Sequence, residues 1–199
     1  HNVEPKDFNS YGSRRGNPEV MMRGTFANIR IRNAMKPEIE GGFTKHIPSG
    51  DTMAIYDAAM RSQQDATPLV LIARKVYDTG SSRHWAAKGT NLLCVKAVIA
   101  QSFERIHRSN LIGMGVLPLQ FATGDSKDSL GLDGSETISI TIPQDLAPRS
   151  SVELCIARTD GTQDTLLVDV RIDTGNELEY YKNGGILQKF AKDVIASSK

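Results

Sequence analysis

The stretch 69-LVLIARKVYDTGSSRHWAAKGTNLLCVKAVIAQSFERIHRSNLIGMGVLPLQF-121 decides the fold. Leu69-Val70-Leu71-Ile72-Ala73 is a short continuous apolar run, as expected of a strand buried on both faces. After a polar turn, Trp85 to Leu93 reads as a helix. Val95 to Ala100 is a second buried strand, Phe103 to Leu111 a second helix and Val116 to Phe121 a third strand. Strands alternating with helices at this spacing predict βαβ crossovers and a parallel sheet.

Outward from this stretch the style changes on both sides. Downstream, Thr137 to Ile142, Ser151 to Ala157 and Thr165 to Ile172 alternate apolar and polar residues, which suits half-exposed strands. Pro143, Pro148 and Asp160-Gly161 supply the turns between them. A helical tail follows, broken at Asn183-Gly184-Gly185 and resuming with Ile186, Leu187, Phe190, Val194 and Ile195. Upstream, Ser49-Gly50-Asp51 opens a helical pattern carried by Met53, Ile55, Tyr56, Ala59 and Met60. Residues 1–45, rich in Gly, Arg and Asn, read as ordered loop with short helical pieces. The expectation is one α/β domain over 1–199, with 1–45 as an irregular lead-in and 46–199 as α/β core and C-terminal helices. Its parallel portion is extended by antiparallel strands.

Composition narrows the function. No apolar stretch in the 199 residues approaches the ~20 that a membrane-spanning helix needs. The opening His1-Asn2-Val3-Glu4-Pro5 lacks the basic-then-apolar order of a secretory signal. Two cysteines, Cys94 and Cys155, are too few for a disulfide scaffold and lack metal-ligand spacing, so both read as small buried thiols. An iron–sulfur cluster or a structural zinc held by this chain's cysteines alone is therefore not expected, and reducing, intracellular surroundings fit best. The net charge of +1 hides an asymmetry: residues 1–110 carry 16 basic against 10 acidic side chains, residues 111–199 carry 8 against 13. A basic half suits anionic partners, either small polycarboxylates or nucleic acid.

Three constellations could carry chemistry. In Thr79-Gly80-Ser81-Ser82-Arg83 a turn at a strand's carboxyl end leads into a helix N-terminus, where free N–H groups and the helix dipole favour an anion. Gly80 lets the backbone approach a ligand, two hydroxyls add donors, and Arg83 offers a planar fork for a carboxylate. The same pattern also fits a simple N-cap. In Ser102 to Asn110, Arg105 and Arg108 lie three apart and, with His107, could form an anion patch or an internal polar network. In the lead-in, Arg14, Arg15, Arg23 and Arg30 interleave with Gly, Asn and aromatic residues. They fit phosphate or carboxylate contacts, or hydrogen bonds that hold an irregular segment in place.

Taken together, FNSYGSRRGNPEVMMRGTFANIRIRN (8–33), GSSRHWAAKG (80–89), KAVIAQSFERIHRSNLIGMGVLPLQF (96–121), LGLDG (130–134) and ELEYYKNGGIL (177–187) resemble the C-terminal domain of the aconitase family over nearly the whole chain. The wording is most similar to the bacterial aconitase A, iron-regulatory and 2-methylcitrate dehydratase branches. The resemblance implies a three-layer β/β/α swivelling domain that closes over a [4Fe–4S] cluster held by other domains. The reaction it implies is a hydro-lyase interconversion of citrate and isocitrate through cis-aconitate, with 2-methylcitrate as the alternative substrate. By motif, Ser81 would be the base and Ser82 and Arg83 would hold a substrate carboxylate. The iron-regulatory relatives imply an RNA-binding alternative, and a catalytically silent structural domain is a third reading. Partners implied are the cluster-bearing domains and a tricarboxylate, with neither membrane nor DNA. Bacterial cytoplasm is the first expectation for location and the mitochondrial matrix the second. Two departures gather near the serines. Tyr77-Asp78-Thr79-Gly80 replaces the usual Tyr-Gly-Ser-Gly, and His84 stands where an acidic residue is common. Cys94 stands where glycine is common.

Overall fold

The computed structural model describes residues 3–77 and 83–198. In the lead-in, 3-10 turns at Pro5–Asp7 and Tyr11–Arg14 precede helix α1 (Pro18–Gly24). Asn17 caps α1, its side-chain oxygen accepting from the N–H groups of Glu19 (3.0 Å) and Val20 (3.3 Å), and Pro18 supplies a ready-made φ for the first turn. Strands β1 (Phe43–Lys45) and β2 (Thr52–Ala54) then form a two-stranded antiparallel sheet. This corrects the sequence expectation at two places. The lead-in ends in a strand, and the helical pattern begins only at Ile55, where α2 (Ile55–Gln64) starts. Met53 shares the apolar spacing of α2, but its backbone is committed to Thr44 across the ladder.

The main sheet contains β3 (Leu69–Ala73), β4 (Val95–Ala100), β5 (Leu117–Phe121), β6 (Thr137–Thr141), β7 (Ser151–Ala157) and β8 (Gln163–Val170), in the order β3-β4-β5-β8-β7-β6. β3, β4 and β5 run parallel; β8, β7 and β6 extend them antiparallel. The expected α/β class, and a parallel portion extended by antiparallel strands, are therefore found. One detail differs. β3 is half-exposed along its whole length, because it is the sheet's outer strand. Its continuous apolar run had suggested full burial; β4, one strand further in, has that burial instead.

Helices α3 (Arg83–Leu92) and α4 (Arg105–Gly113) make the crossovers, and α5 (Gly175–Lys182) and α6 (Ile186–Ser197) close the chain. The period-2 alternation of β4 splits the core. Ala97 and Ile99 join Leu117, Leu119, Leu154, Ile156 and Val168 in one buried cluster. Val98 joins Ala87 of α3 and Leu111 of α4 in the other. Cys94 takes φ 61 in the turn before β4, the left-handed region glycine enters at no steric cost. Cys94 and Cys155 are both half-buried, not fully enclosed as expected.

Arg108 resolves the Ser102–Asn110 alternatives in favour of an internal network. Its side chain is 8% exposed. It donates to both Glu177 carboxylate oxygens (3.0 and 2.9 Å) and to the Arg171 carbonyl (2.7 Å). Glu177 also accepts from the Asp173 N–H at 2.8 Å. Burial pushes the Glu177 carboxyl up, but the Arg108 and Asp173 hydrogen bonds outweigh it and hold the group below the usual glutamate value. A carboxylate depressed in this way adds stability above its unfolded pKa and loses it as pH falls through the folded one. Glu177→Gln should cost about 1.5–3 kcal/mol at pH 7, the worth of a charge-assisted hydrogen bond, since Arg108 keeps the Asp173 carboxylate (3.4 Å) and the Arg171 carbonyl as partners. It should also flatten the loss of stability below about pH 4.3, the ordinary glutamate value. Urea melts at pH 7 and pH 4 check both; identical acid limbs in the two proteins would contradict the assignment.

Candidate functional site

The candidate site begins where β3 and β4 leave the sheet. Parallel pairing ends both strands at one edge, with Ala73 opposite Ala100. Beyond that pair the two chains stay together. The Val76 N–H donates to Ser102 Oγ (2.7 Å), the Tyr77 N–H to the Ser102 carbonyl (2.9 Å), and the Glu104 N–H to the Tyr77 carbonyl (3.2 Å). Tyr77 and Phe103 form a parallel bridge, and the Tyr77 ring stands edge-on to Phe103 (6.3 Å) and His107 (5.2 Å). Each chain then enters a helix at this edge. α4 starts behind Glu104, whose carboxylate accepts from the His107 N–H at 2.8 Å. α3 starts at Arg83. One helix start thus already carries its carboxylate, and the other follows directly on the two serines.

Segment 78–82 lies outside the described residues, and Ser81 and Ser82 with it. Arg83 is the first residue of α3, and its side chain is likewise outside the description. What the structure supplies is the frame. α3 is held from below by Ala87, buried with Leu111 and Val98. From the side it is held by α1: a Cβ on Gly89 would fall 1.9 Å from Thr25 Oγ1, so only glycine permits this approach. A helix fixed on two sides presents its N-terminus in one direction, which an anion-binding turn requires.

The lead-in arginines divide. Arg14 and Arg15 are exposed on and just after the second 3-10 turn, and Arg30 is exposed in the loop after α1. Arg23 is committed: its guanidinium lies 4.0 Å over the Tyr56 ring of α2. It borders a largely apolar cleft of about 400 Å³ that Tyr11, Phe26, Ile29 and Phe43 also line. The structure thus brings Arg23 to an aromatic pocket, apart from Arg14, Arg15 and Arg30 in the solvent.

The residues also answer for a cluster. Cys94 lies immediately before β4 and Cys155 within β7, with β5 and β8 between them in the sheet. Three interstrand spacings amount to about 14 Å, too far for two thiolates to share one cluster. Among the described residues no three His, Cys, Asp or Glu side chains gather as a metal site. No helix among them is long and apolar enough to cross a membrane.

Two features of the frame escape sequence reading. Val76 takes φ 51 and is 50% exposed. A β-branched residue in that region is strained by about 1–3 kcal/mol, and its composition signals strand instead. Ser102 is the latch that holds it, 26 residues further along the chain, and no local pattern pairs the two. Ser102→Ala should cost about 1 kcal/mol, the worth of one hydrogen bond, and Ser102→Thr markedly less. Equal stability of all three proteins in urea melts would remove the latch.

Comparison with known proteins bears on this frame. The family described as Aconitase C-terminal domain matches residues 1–124. Among similar proteins, aconitate hydratase A of Legionella pneumophila is 67% identical over 94% of this chain and 21% of its own length. Aconitate hydratase A of Pseudomonas aeruginosa is 62% identical over 98% of the chain and 22% of its own length. That of Escherichia coli is 58% identical over 97% and 22%. The chain thus spans about a fifth of the length of these relatives. A solved 3-isopropylmalate dehydratase from Methanocaldococcus jannaschii is similar at TM-score 0.43 and 20% identity, covering 73% of this chain and 82% of that one.

Proposed function

The chain belongs to the aconitase family through its C-terminal domain, and from that premise we propose that it is the swivelling domain of an aconitate hydratase. In this reading residues 1–199 are one domain with 1–45 as its lead-in, and the rest of the enzyme lies outside the chain. The reaction is the interconversion of citrate and isocitrate through cis-aconitate. The names of the relatives favour citrate over 2-methylcitrate. All of these relatives are bacterial, and the cytoplasm is the location we assign.

One observation carries the proposal. The Gly80-Ser81-Ser82-Arg83 motif falls inside the family match, between a strand end latched at Ser102 and the start of a helix fixed on two sides. The [4Fe–4S] cluster of the family would be held outside this chain, since Cys94 and Cys155 lie too far apart to share it. The chain's own share is then to bind, orient and move a proton. Ser82 and Arg83 would hold a substrate carboxylate, the guanidinium in two parallel hydrogen bonds that fix the orientation of the reacting carbon. Ser81 Oγ would take the proton from that carbon. A serine is a weak base at neutral pH, and a helix N-terminus with a neighbouring cation lowers the cost of the charged form. Arg14, Arg15 and Arg30, exposed on the lead-in, would contribute a positive field for an incoming anion. Arg23, stacked on Tyr56, would serve the packing of the lead-in.

In the complete cluster-loaded enzyme, Ser81→Ala should lower kcat by about 10²–10⁴-fold, the range expected of a general base, with KM little changed. Arg83→Lys keeps the charge but loses the fork, so it should raise KM. Steady-state cis-aconitate hydration reads both. Wild-type turnover in the Ser81→Ala enzyme would defeat the assignment of the base.

A further inference from the structure

The last helix is mounted with its apolar side outward. α6 carries two apolar rows, Ile186-Phe190-Val194 and Leu187-Ala191-Ile195, which share one half of its circumference at 3.6 residues per turn. Leu187 is 72% exposed, Phe190 67% and Ile195 62%, and no residue of the helix is buried. On the opposite, polar half only Lys189 is less than exposed. Lys192 Nζ reaches back to the Asn183 side chain at 3.0 Å, and the Lys189 side chain, bonded to Asp193, is only 27% exposed. A surface helix that faces water alone adopts the reverse orientation.

Nor does α6 hang loosely. The Gly184 N–H donates to the Tyr181 carbonyl (2.9 Å) and the Gly185 N–H to the Tyr180 carbonyl (2.8 Å), closing α5 and starting α6 at a fixed angle. Gly185 has φ 132, open to glycine alone, and a Cβ on Gly115 would stand 2.5 Å from the Gly184 carbonyl oxygen. The backbone junction between the α4–β5 turn and α6 therefore sets the direction of the apolar side.

We infer that the outward face of α6 is the surface on which the remainder of the same polypeptide packs. The inference rests on the reading that this chain is one domain of a longer protein, and the relatives, with about four fifths of their length outside the match, supply the candidate occupant. Size argues against a second copy. A 12-residue helix offers a strip about 18 Å long and 10 Å wide, far short of the roughly 800 Å² per partner that a stable dimer buries. A covalently joined partner needs far less, because attachment raises its effective concentration to about millimolar. Charge argues against an anionic membrane: Lys189 and Lys192 lie on the half of α6 opposite its apolar face, with Lys192 bonded to Asn183 and Lys189 paired with Asp193. The occupant is accordingly an apolar patch of the same polypeptide outside residues 1–199.

The test uses the complete natural polypeptide with p-benzoylphenylalanine in place of Phe190. Irradiation followed by mass spectrometry should map cross-links to residues outside 1–199 of the same molecule. Cross-links only to a second copy, to lipid vesicles of phosphatidylglycerol, or to nothing but solvent would overturn the inference. Leu187→Asp in the same polypeptide should speed cleavage by a probe protease at the junctions flanking the domain severalfold. An unchanged cleavage rate would also count against it. These readouts are independent of catalysis. Turnover of the wild-type polypeptide on cis-aconitate with Phe190 free sinks only this inference, whereas a wild-type polypeptide inactive when cluster-loaded sinks the functional reading instead.

Discussion

Parallel pairing of β3, β4 and β5 is the constraint on which the rest of the molecule depends. Neighbouring parallel strands must leave the sheet at the same edge, and the helices that carry the chain back must start there. That geometry puts the starts of α3 and α4 at the same edge of the sheet. Ser102 reinforces it past the last ladder pair, at the cost of a left-handed Val76.

The antiparallel half adds the second requirement, a rigid base. β8 pairs with β5 and so continues the same sheet, but a shared sheet edge alone would let α4 and α5 shift over it. Arg108 prevents this. Its guanidinium spans from α4 to the Arg171 carbonyl after β8 and to Glu177 in α5, and a buried charge tolerates no arrangement in which those partners separate. α6 then follows from α5 at a fixed angle. The frame of the candidate site and the outward presentation of α6 thus share one foundation.

Much of this was legible from residue patterns. β4 and β7 fall where the apolar run and the alternation put them, and the Asn183-Gly184-Gly185 break separates α5 from α6 as read. The misreadings have physical causes. Met53 has helical spacing yet lies in β2, because its partner Thr44 is distant in sequence and a short strand leaves little local signal. β3 has the composition of a buried strand and the position of an outer one, since sheet order is a tertiary property. Glycine at 24, 42 and 89 is required by Tyr11, Phe26 and Thr25, neighbours that no local pattern names. At the candidate site, the motif 79–83 was read by residue type and order, and residues 79–82 lie outside the described residues. The latch at Ser102, the strain at Val76 and the stacking of Arg23 on Tyr56 were not legible, because each depends on which segments meet in space.

In the reading proposed above, the hydroxyls of Ser81 and Ser82 and the Arg83 guanidinium receive an organic polyanion. A crystal structure of the complete polypeptide with a tricarboxylate bound tests it most directly. A ligand carboxylate should lie within hydrogen-bonding distance of both Ser82 and Arg83, with Ser81 Oγ against a ligand carbon. A ligand seated elsewhere, with these three side chains directed away from it, would rule that role out.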